Sequence, residues 1–397
     1  MSNRASNGGN LSAVLTGILL IYKIRPYFFW SGIFLNNYFD AIITIVIGGL
    51  FFLNRKIMNR TDKWLMALFG TIIVIYPFVG GQNFNVFVSI FPLLFIPFAT
   101  DAFNKKVYEN YLNIYCVIIG LSLIVWVFAL IGALSPMRII KPLNELKDYN
   151  YRVYPLLVMA ENGSFRFSGL FDEPGVIGTI SGLLLCCQRK LKSKQSFVLL
   201  LSGICSFSLF FYLVVAVYYT YHQLVEGGKV KNIAVYIVVA GVALLVVFST
   251  PTLSELIVSR LTWDSDTGMF AGDNRASGYA WDLFDRIKGT HQFWFGIDDK
   301  WEFHEKVGFS SSFINVVIMY GVLFFSLIIL FYLLYGYVYK VTSLGFLLFL
   351  FVLLATLYQR PGIFNPELLF LWIYLARKEA MQQSLLLQSK TIISKGV

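Results

Sequence analysis

The chain has 397 residues, 57% of them hydrophobic and 14% charged, with a formal net charge of +10. A soluble domain carries close to twice that charged fraction, and several uninterrupted apolar runs can cross the roughly 30 Å hydrocarbon core. The composition predicts an all-α polytopic membrane protein; the runs lack the alternation of barrel strands, and the positive charge marks which side each loop faces rather than a nucleic-acid partner.

The start, MSNRASNGGN, is polar, and the first apolar run lacks a small-x-small exit, so it is expected to be a first span rather than a cleaved signal. Spans are predicted near 9–27, 34–53, 64–81, 84–100, 107–134, 175–187, 196–222, 232–249, 311–334, 342–358 and 365–376. Basic clusters at 54–63, 104–106, 188–194, 229–231 and 377–378 separate them and are placed in the cytoplasm by the positive-inside rule. Two longer polar segments, 135–174 and 250–310, then become large extracytoplasmic loops of a single integral membrane domain, 1–397. Lys23 and Arg25, just outside the first span, run against the charge rule. Cys116, Cys186, Cys187 and Cys205 fall inside apolar segments, where they act as small hydrophobes, with neither a disulfide framework nor zinc-ligand spacing.

Basic clusters flank 196–222 on both sides, so this segment must cross an even number of times. Two full spans need about 40 residues, more than the segment offers. A short buried helical hairpin bent at Ser206 and Ser208 satisfies the parity if neighbouring protein covers the bend. That gives about twelve helices with both termini inside; a single long span would instead move 250–310 to the cytoplasm.

In the first large loop, LLVMA-ENG-SFRFS has two β-prone arms around Asn162-Gly163, a pair suited to a tight turn, and predicts a hairpin that delivers Arg166. FDEPGVIGTISG follows. Pro174 suits a first helical position, and Asp172 or Glu173 stands where a capping carboxylate belongs. Gly178 and Gly182 form a small-xxx-small pair for close helix packing. A helix N-terminus beside an arginine suits a phosphate or diphosphate, because free N–H groups and a bidentate guanidinium both bind such oxygens. Glu173 is either the helix cap or a candidate base, and a capped helix beside a solvated arginine is the plainer alternative.

In the second loop, ASGYAWDLFDRIKG has apolar residues at helical spacing (Tyr279, Leu283, Ile287) and predicts an amphipathic helix, with Asp273, Asn274 and Arg275 just before it. Arg260 is a further basic candidate. Phe293, Trp294, Phe295, Trp301 and Phe303 suit the membrane interface or the faces of sugar rings. His291 and His304 lie among acidic residues without metal-ligand spacing, so acid or base work is the better use for a histidine here.

Taken together, Arg166 to Gly175 (Arg-x-Ser-Gly-x-Phe-x-Glu-Pro-Gly) closely resembles the outer-loop motif of the O-antigen polymerase and O-antigen ligase superfamily. Many members have Pro-Asn or Pro-Ser where this chain has Pro174-Gly175. Many also carry a Ser-Arg-Gly-like turn in the following hairpin, where Ser208-Leu209-Phe210 stands here and offers no arginine. The similarity resumes at Asp273-Asn274-Arg275, the Gly296 turn and SSSFINVVIMYG with Gly321, and covers roughly residues 100 to 335. Ser310 stands where ligases begin that last block with a histidine, which favours a polymerase.

The resemblance implies a GT-C-like, metal-independent glycosyltransferase without cofactor, set in the bacterial cytoplasmic membrane with its site facing the periplasm or cell exterior. Its substrate would be undecaprenyl-diphosphate-linked oligosaccharide, its product O-antigen, capsule or exopolysaccharide, and a chain-length regulator its protein partner. Arg166 and Arg275 would hold the diphosphate and stabilise its charge as it leaves. Glu173, His304 or an outer-loop aspartate would assist as base, and Arg260, Gly169, Pro174, Gly175 and Asp273 would line the substrate site. The competing activities are ligation of polymer to lipid A core and transport of lipid-linked oligosaccharide. Coupled carriers usually place charges within their spans, whereas the spans after residue 110 are almost free of them.

Overall fold

The structure is a computed structural model that describes residues 2–30, 37–79, 87, 90–141, 149–161, 165–188, 193–225, 263–264, 269–270, 278–307, 312–339 and 343–378. These residues are mostly helical, with a small sheet. The chain begins with α1 (Ser2–Lys23), α2 (Tyr27–Trp30), α3 (Asn37–Leu53) and α4 (Arg60–Val79). Where a span is predicted over 84–100, Phe91–Phe98 forms a 3-10 helix with Pro92 in its first turn and Pro97 inside it. Proline has no N–H to give, which disfavours a regular α-helix there. The 3-10 helix presses on α3 at Gly48, where a Cβ would lie 2.2 Å from Pro92 Cβ.

Next come α5 (Asp101–Leu130), capped by Thr100, and, after the sheet, α6 (Pro174–Cys187), α7 (Lys194–Cys205) and α8 (Leu209–Val225). The C-terminal part holds α9 (Gly278–Ile287), α10 (His291–Phe295), α11 (Lys300–Val307), α12 (Phe313–Val338), α13 (Ser343–Gln359) and α14 over 366–378. By length and composition α5 and α12 can each cross a membrane, while 174–187, 194–205 and 344–359 are shorter apolar helices. Every residue of α14 is buried, which makes it the central helix that the others surround. Tyr374 stacks on Tyr108 of α5 at 4.3 Å, and Trp372 meets Tyr332 of α12 edge-on at 5.4 Å.

The segment expected to double back does so. Ser196 bonds Gln188, Ser202 Oγ lies 3.1 Å from Ser181 Oγ, and Ser206 abuts Gly178, so α7 runs antiparallel to α6. Ser208 abuts the same Gly178, while Tyr218 Oη donates to Gln188 O at 2.6 Å, so α8 runs back alongside α6. The reversal occupies Ser206–Phe207–Ser208, with Phe207 at a φ of 49°.

Hydrogen bonds and ion pairs gather Lys56, Arg377 and Lys378, cations of the first and last basic clusters, at one end of the bundle. Lys56 reaches Asp62 at 2.8 Å and Tyr339 Oη at 2.6 Å. Arg377 reaches Asp101 at 3.1 Å, and Lys378 donates to Cys186 O and Gln188 O. Lys23 lies at the opposite end, bonded to Asp40 at 2.7 Å and Thr44 at 3.1 Å. Its departure from the charge rule is therefore the departure of a paired cation rather than a solvated one. The cluster at 229–231 lies outside the described residues.

The first large loop carries a three-stranded antiparallel sheet, β1 (Arg138–Ile140), β2 (Tyr151–Tyr154) and β3 (Leu157–Ala160). The turn expected at Asn162-Gly163 lies outside the described residues, but among those described the two arms do not pair as strands. The arm LLVMA pairs backward onto β2 through Pro155-Leu156, with Leu156 at a φ of 57°, and 165–168 is not a strand. Proline favours the second position of a turn, but a leucine in the left-handed region beside it gives no turn signal in sequence. The forward arm keeps one backbone bond to β3, from Val158 N–H to Gly169 O at 2.7 Å.

Candidate active site

The site is built around the start of α6. From Phe165, whose carbonyl accepts from Trp126 Nε1 at 3.2 Å, the chain runs along α5 to Gly169, which packs on Ile119. Trp126 and Ile119 are two helical turns apart, so the segment descends about 10 Å. Over that depth α5 keeps an exposed apolar face through Val117, Leu121, Ile124, Val127 and Phe128, and the site is sunk below the helix end rather than perched on it. Gly169 has a φ of 56°, and a Cβ there would lie 3.0 Å from Ile177 Cδ1, so glycine is required on both counts. Tyr27 N–H anchors the floor through Leu170 O at 2.7 Å.

Arg166 points at the bend between α7 and α8. Its Nε donates to Ser206 O at 3.0 Å and its Nη2 to Phe207 O at 3.1 Å, while Phe167 N–H takes Cys205 O at 2.9 Å. A helix that ends inside a protein leaves carbonyls without intrahelical partners, and this segment supplies three donors to them. The same bonds fix the guanidinium plane, so the arginine is placed rather than loosely held.

Pro174 opens α6 and Glu173 stands at its N-cap position, but the Glu173 side chain makes no capping bond. Its Oε2 instead lies 2.5 Å from Nη2 of Arg360, just beyond the end of α13. Gly175 lets that guanidinium approach, since a Cβ would stand 3.1 Å from Nη2. Below the pair, Thr179 bonds Gln359 at 3.4 Å. Tyr151 Oη donates to Asp172 O at 2.6 Å, and burial, with Tyr149 and the Asp172 and Glu173 carboxylates beside it, holds the Tyr151 phenol well above its ordinary range. At neutral pH it therefore stays a donor.

The second loop reaches this end through aromatic contacts. Trp281 of α9 meets Phe313 of α12 at 6.4 Å, and Phe313 stacks on Tyr358 at 5.2 Å, two residues before Arg360. Then α10 docks on α12, which is broken at Gly321 with a φ of 83°. Ile297 N–H donates to Ile318 O at 3.0 Å, His291 stacks on Phe295 at 4.5 Å, and Phe303 is buried near Tyr279.

The structure thus brings together Arg166, Gly169, Glu173, Pro174 and Gly175. Arg260, Asp273 and Arg275 lie outside the described residues; His304 falls within α11, but its side chain lies outside them as well. Arg360 is the residue that sequence reasoning missed. Its signal was an arginine followed by Pro361-Gly362 in the short break between two apolar runs. Comparison of the chain with protein-family models, with curated proteins and with solved structures returns no match.

Proposed function

We propose that the chain is a membrane glycosyltransferase that polymerises lipid-linked oligosaccharide repeat units on the outer face of the bacterial cytoplasmic membrane. In this reading it crosses the bilayer about twelve times, with the end that gathers Lys56, Arg377 and Lys378 in the cytoplasm. The observation that carries the proposal is the Glu173–Arg360 pair at the N-terminus of α6, with Arg166 on the segment that leads into it, bonded to the bend that packs on Gly178 of the same helix. Fixed cations beside a helix N-terminus suit a diphosphate, and a half-exposed carboxylate beside them suits a proton acceptor.

The reaction follows from these groups. The bond between the anomeric carbon of the growing chain and its lipid diphosphate breaks, and its electron pair leaves on the diphosphate. Arg166, together with Arg275 from the second loop, stabilises that charge. A hydroxyl oxygen of the incoming unit bonds to the anomeric carbon, and its proton passes to the Glu173 carboxylate. No step calls for a metal or a nucleotide.

Arg166→Ala and Arg275→Ala are expected to abolish polymer while single repeat units still reach the surface lipid. The measurement is a gel of surface glycolipid from cells carrying each variant. Normal polymer length in both would sink the proposal, and so would a reporter at residue 290 that proves cytoplasmic. Full-length polymer left unattached to surface lipid would instead indicate a ligase.

A further inference from the structure

We infer that Arg360 is a positioning residue for this reaction, acting through Glu173; the inference rests on the polymerase reading above. Three observations, each involving a residue outside the motif in the first loop, point the same way.

The first is where the two charges stand. Glu173 is at the N-terminus of α6, where a helix favours an anion, and Arg360 follows the C-terminus of α13, where a helix favours a cation. Two helix ends of opposite polarity face each other, and the ion pair at 2.5 Å joins them. Each charge is thus favoured by its own helix before the pair forms.

The second is that the arginine is built in. Arg360 N–H donates to Thr356 O at 2.6 Å, continuing the last turn of α13, and Pro361 follows. At Gly362 a Cβ would stand 2.6 Å from Asn365 Nδ2, so the turn that leads into α14 is closely packed. Gly175 leaves room for the guanidinium on the α6 side. The arginine side chain is 21% exposed while the carboxylate is 45% exposed, so the cation forms the wall and the carboxylate faces outward.

The third is what Glu173 does not do. At an N-cap its carboxylate could close on the free N–H groups of α6, yet it makes no such bond. Arg360 draws it away from that use. The guanidinium offers the carboxylate a full positive charge where the helix end offers about half of one, which accounts for the choice. The result is a carboxylate paired with Arg360 at the start of α6, next in chain to the floor segment that carries Arg166.

The test uses the full-length protein in native membranes, with polymer growth followed against pH in wild type, Arg360→Gln, Arg360→Lys, Glu173→Gln and the double variant. Arg360→Gln is expected to slow polymerisation by about 10- to 100-fold, the lower range for a general base used badly. The acid limb of its pH profile should move up by about one unit, because removing a neighbouring cation makes a carboxylate easier to protonate. Arg360→Lys should recover part of the rate and return the limb towards wild type. In the Glu173→Gln background, Arg360→Gln should add nothing further, whereas misfolding or an independent structural role would add its own loss. An additive loss, or an unshifted limb, overturns the assignment. Wild-type behaviour of Arg360→Gln beside a dead Arg166→Ala overturns this inference alone; full polymer in Arg166→Ala and Glu173→Gln as well overturns the polymerase site with it.

Discussion

Two helical segments in this fold are broken, and the polar segments that precede α6 and α12 mend the two breaks by opposite means. At the bend between α7 and α8, the carbonyls of Ser206 and Phe207 accept from one arginine side chain, and that of Cys205 from a backbone N–H. At the kink in α12, Ile318 O accepts from Ile297 N–H, and two glycines let the backbones touch. A Cβ on Gly321 would lie 2.2 Å from Trp294 O, and one on Gly296 2.3 Å from Met319 O. A backbone-to-backbone joint can only hold. An arginine placed by a bend also brings a fixed charge to the same spot, which is why the proposed function uses the bend and not the kink.

The kink should therefore be the less forgiving of the two. Gly321→Ala would need a left-handed alanine and would drive its methyl into a carbonyl, so a loss on the order of 4 kcal/mol is expected. It should show as a collapse of the apparent melting temperature in detergent, and a near-normal melt would mean that α10 does not seat on α12 as described. At the bend, Arg166→Ala removes two charge-assisted bonds and strands two carbonyls, at a cost of about 3 kcal/mol. Arg166→Lys should recover part of it, because one ammonium reaches fewer carbonyls than a guanidinium. If Arg166→Ala melts like wild type, the bend is satisfied by water and the comparison fails.

The breaks differ also in how plainly the sequence announces them. Charge parity across 196–222 and the serines at 206 and 208 predict the bend, and the resemblance singles out Gly296 and Gly321 as a turn and a span glycine. What no local pattern carries is the partner of each break. Arg166 bonds residues about forty positions away, Ile297 meets Ile318 about twenty positions on, and Glu173 meets Arg360 across most of the remaining chain. The start of α6 is legible because Pro174 and a preceding carboxylate are local signals; the use of that carboxylate is not, because a cap and an ion pair demand the same residue. The sheet misleads for a related reason. Asn162-Gly163 is a stronger turn signal than Pro155-Leu156, but pairing onto β2 buries Tyr151, Val153 and Val158 on one face of the sheet.

Smaller effects should separate the two glycines of α6. At Gly178 a Cβ would stand 2.3 Å from Ser208 Cβ, while at Gly182 the nearest atom is 3.6 Å away. Gly178→Ala should cost about 1–3 kcal/mol by overpacking the bend, and Gly182→Ala should fall within about 0.5 kcal/mol of wild type. Ser208→Gly should rescue Gly178→Ala. Equal melts for the two alanine variants would show that the bend does not rest on Gly178.

The smallest effect expected tests how well each break is sealed from water. The cation at the bend is a guanidinium, which does not titrate in the accessible range. Beside the kink the cation is Lys300, 5.4 Å from the Tyr320 ring, where burial lowers its pKa to about 8 against the opposing pull of Asp298. Between about pH 8 and the ordinary lysine value near 10.4 the unfolded chain keeps a proton that the folded chain has released, so stability rises with pH across that window. Below it both states are protonated and the cost of burying the charge is constant. Wild type should therefore gain on the order of 1–2 °C in apparent melting temperature, relative to Lys300→Met, between pH 8 and 10. An amine-selective reagent should also label Lys300 with a midpoint near pH 8. Parallel melting curves for the two proteins would mean that water reaches Lys300, and that the joint between α10 and α12 is looser than its paired glycines imply.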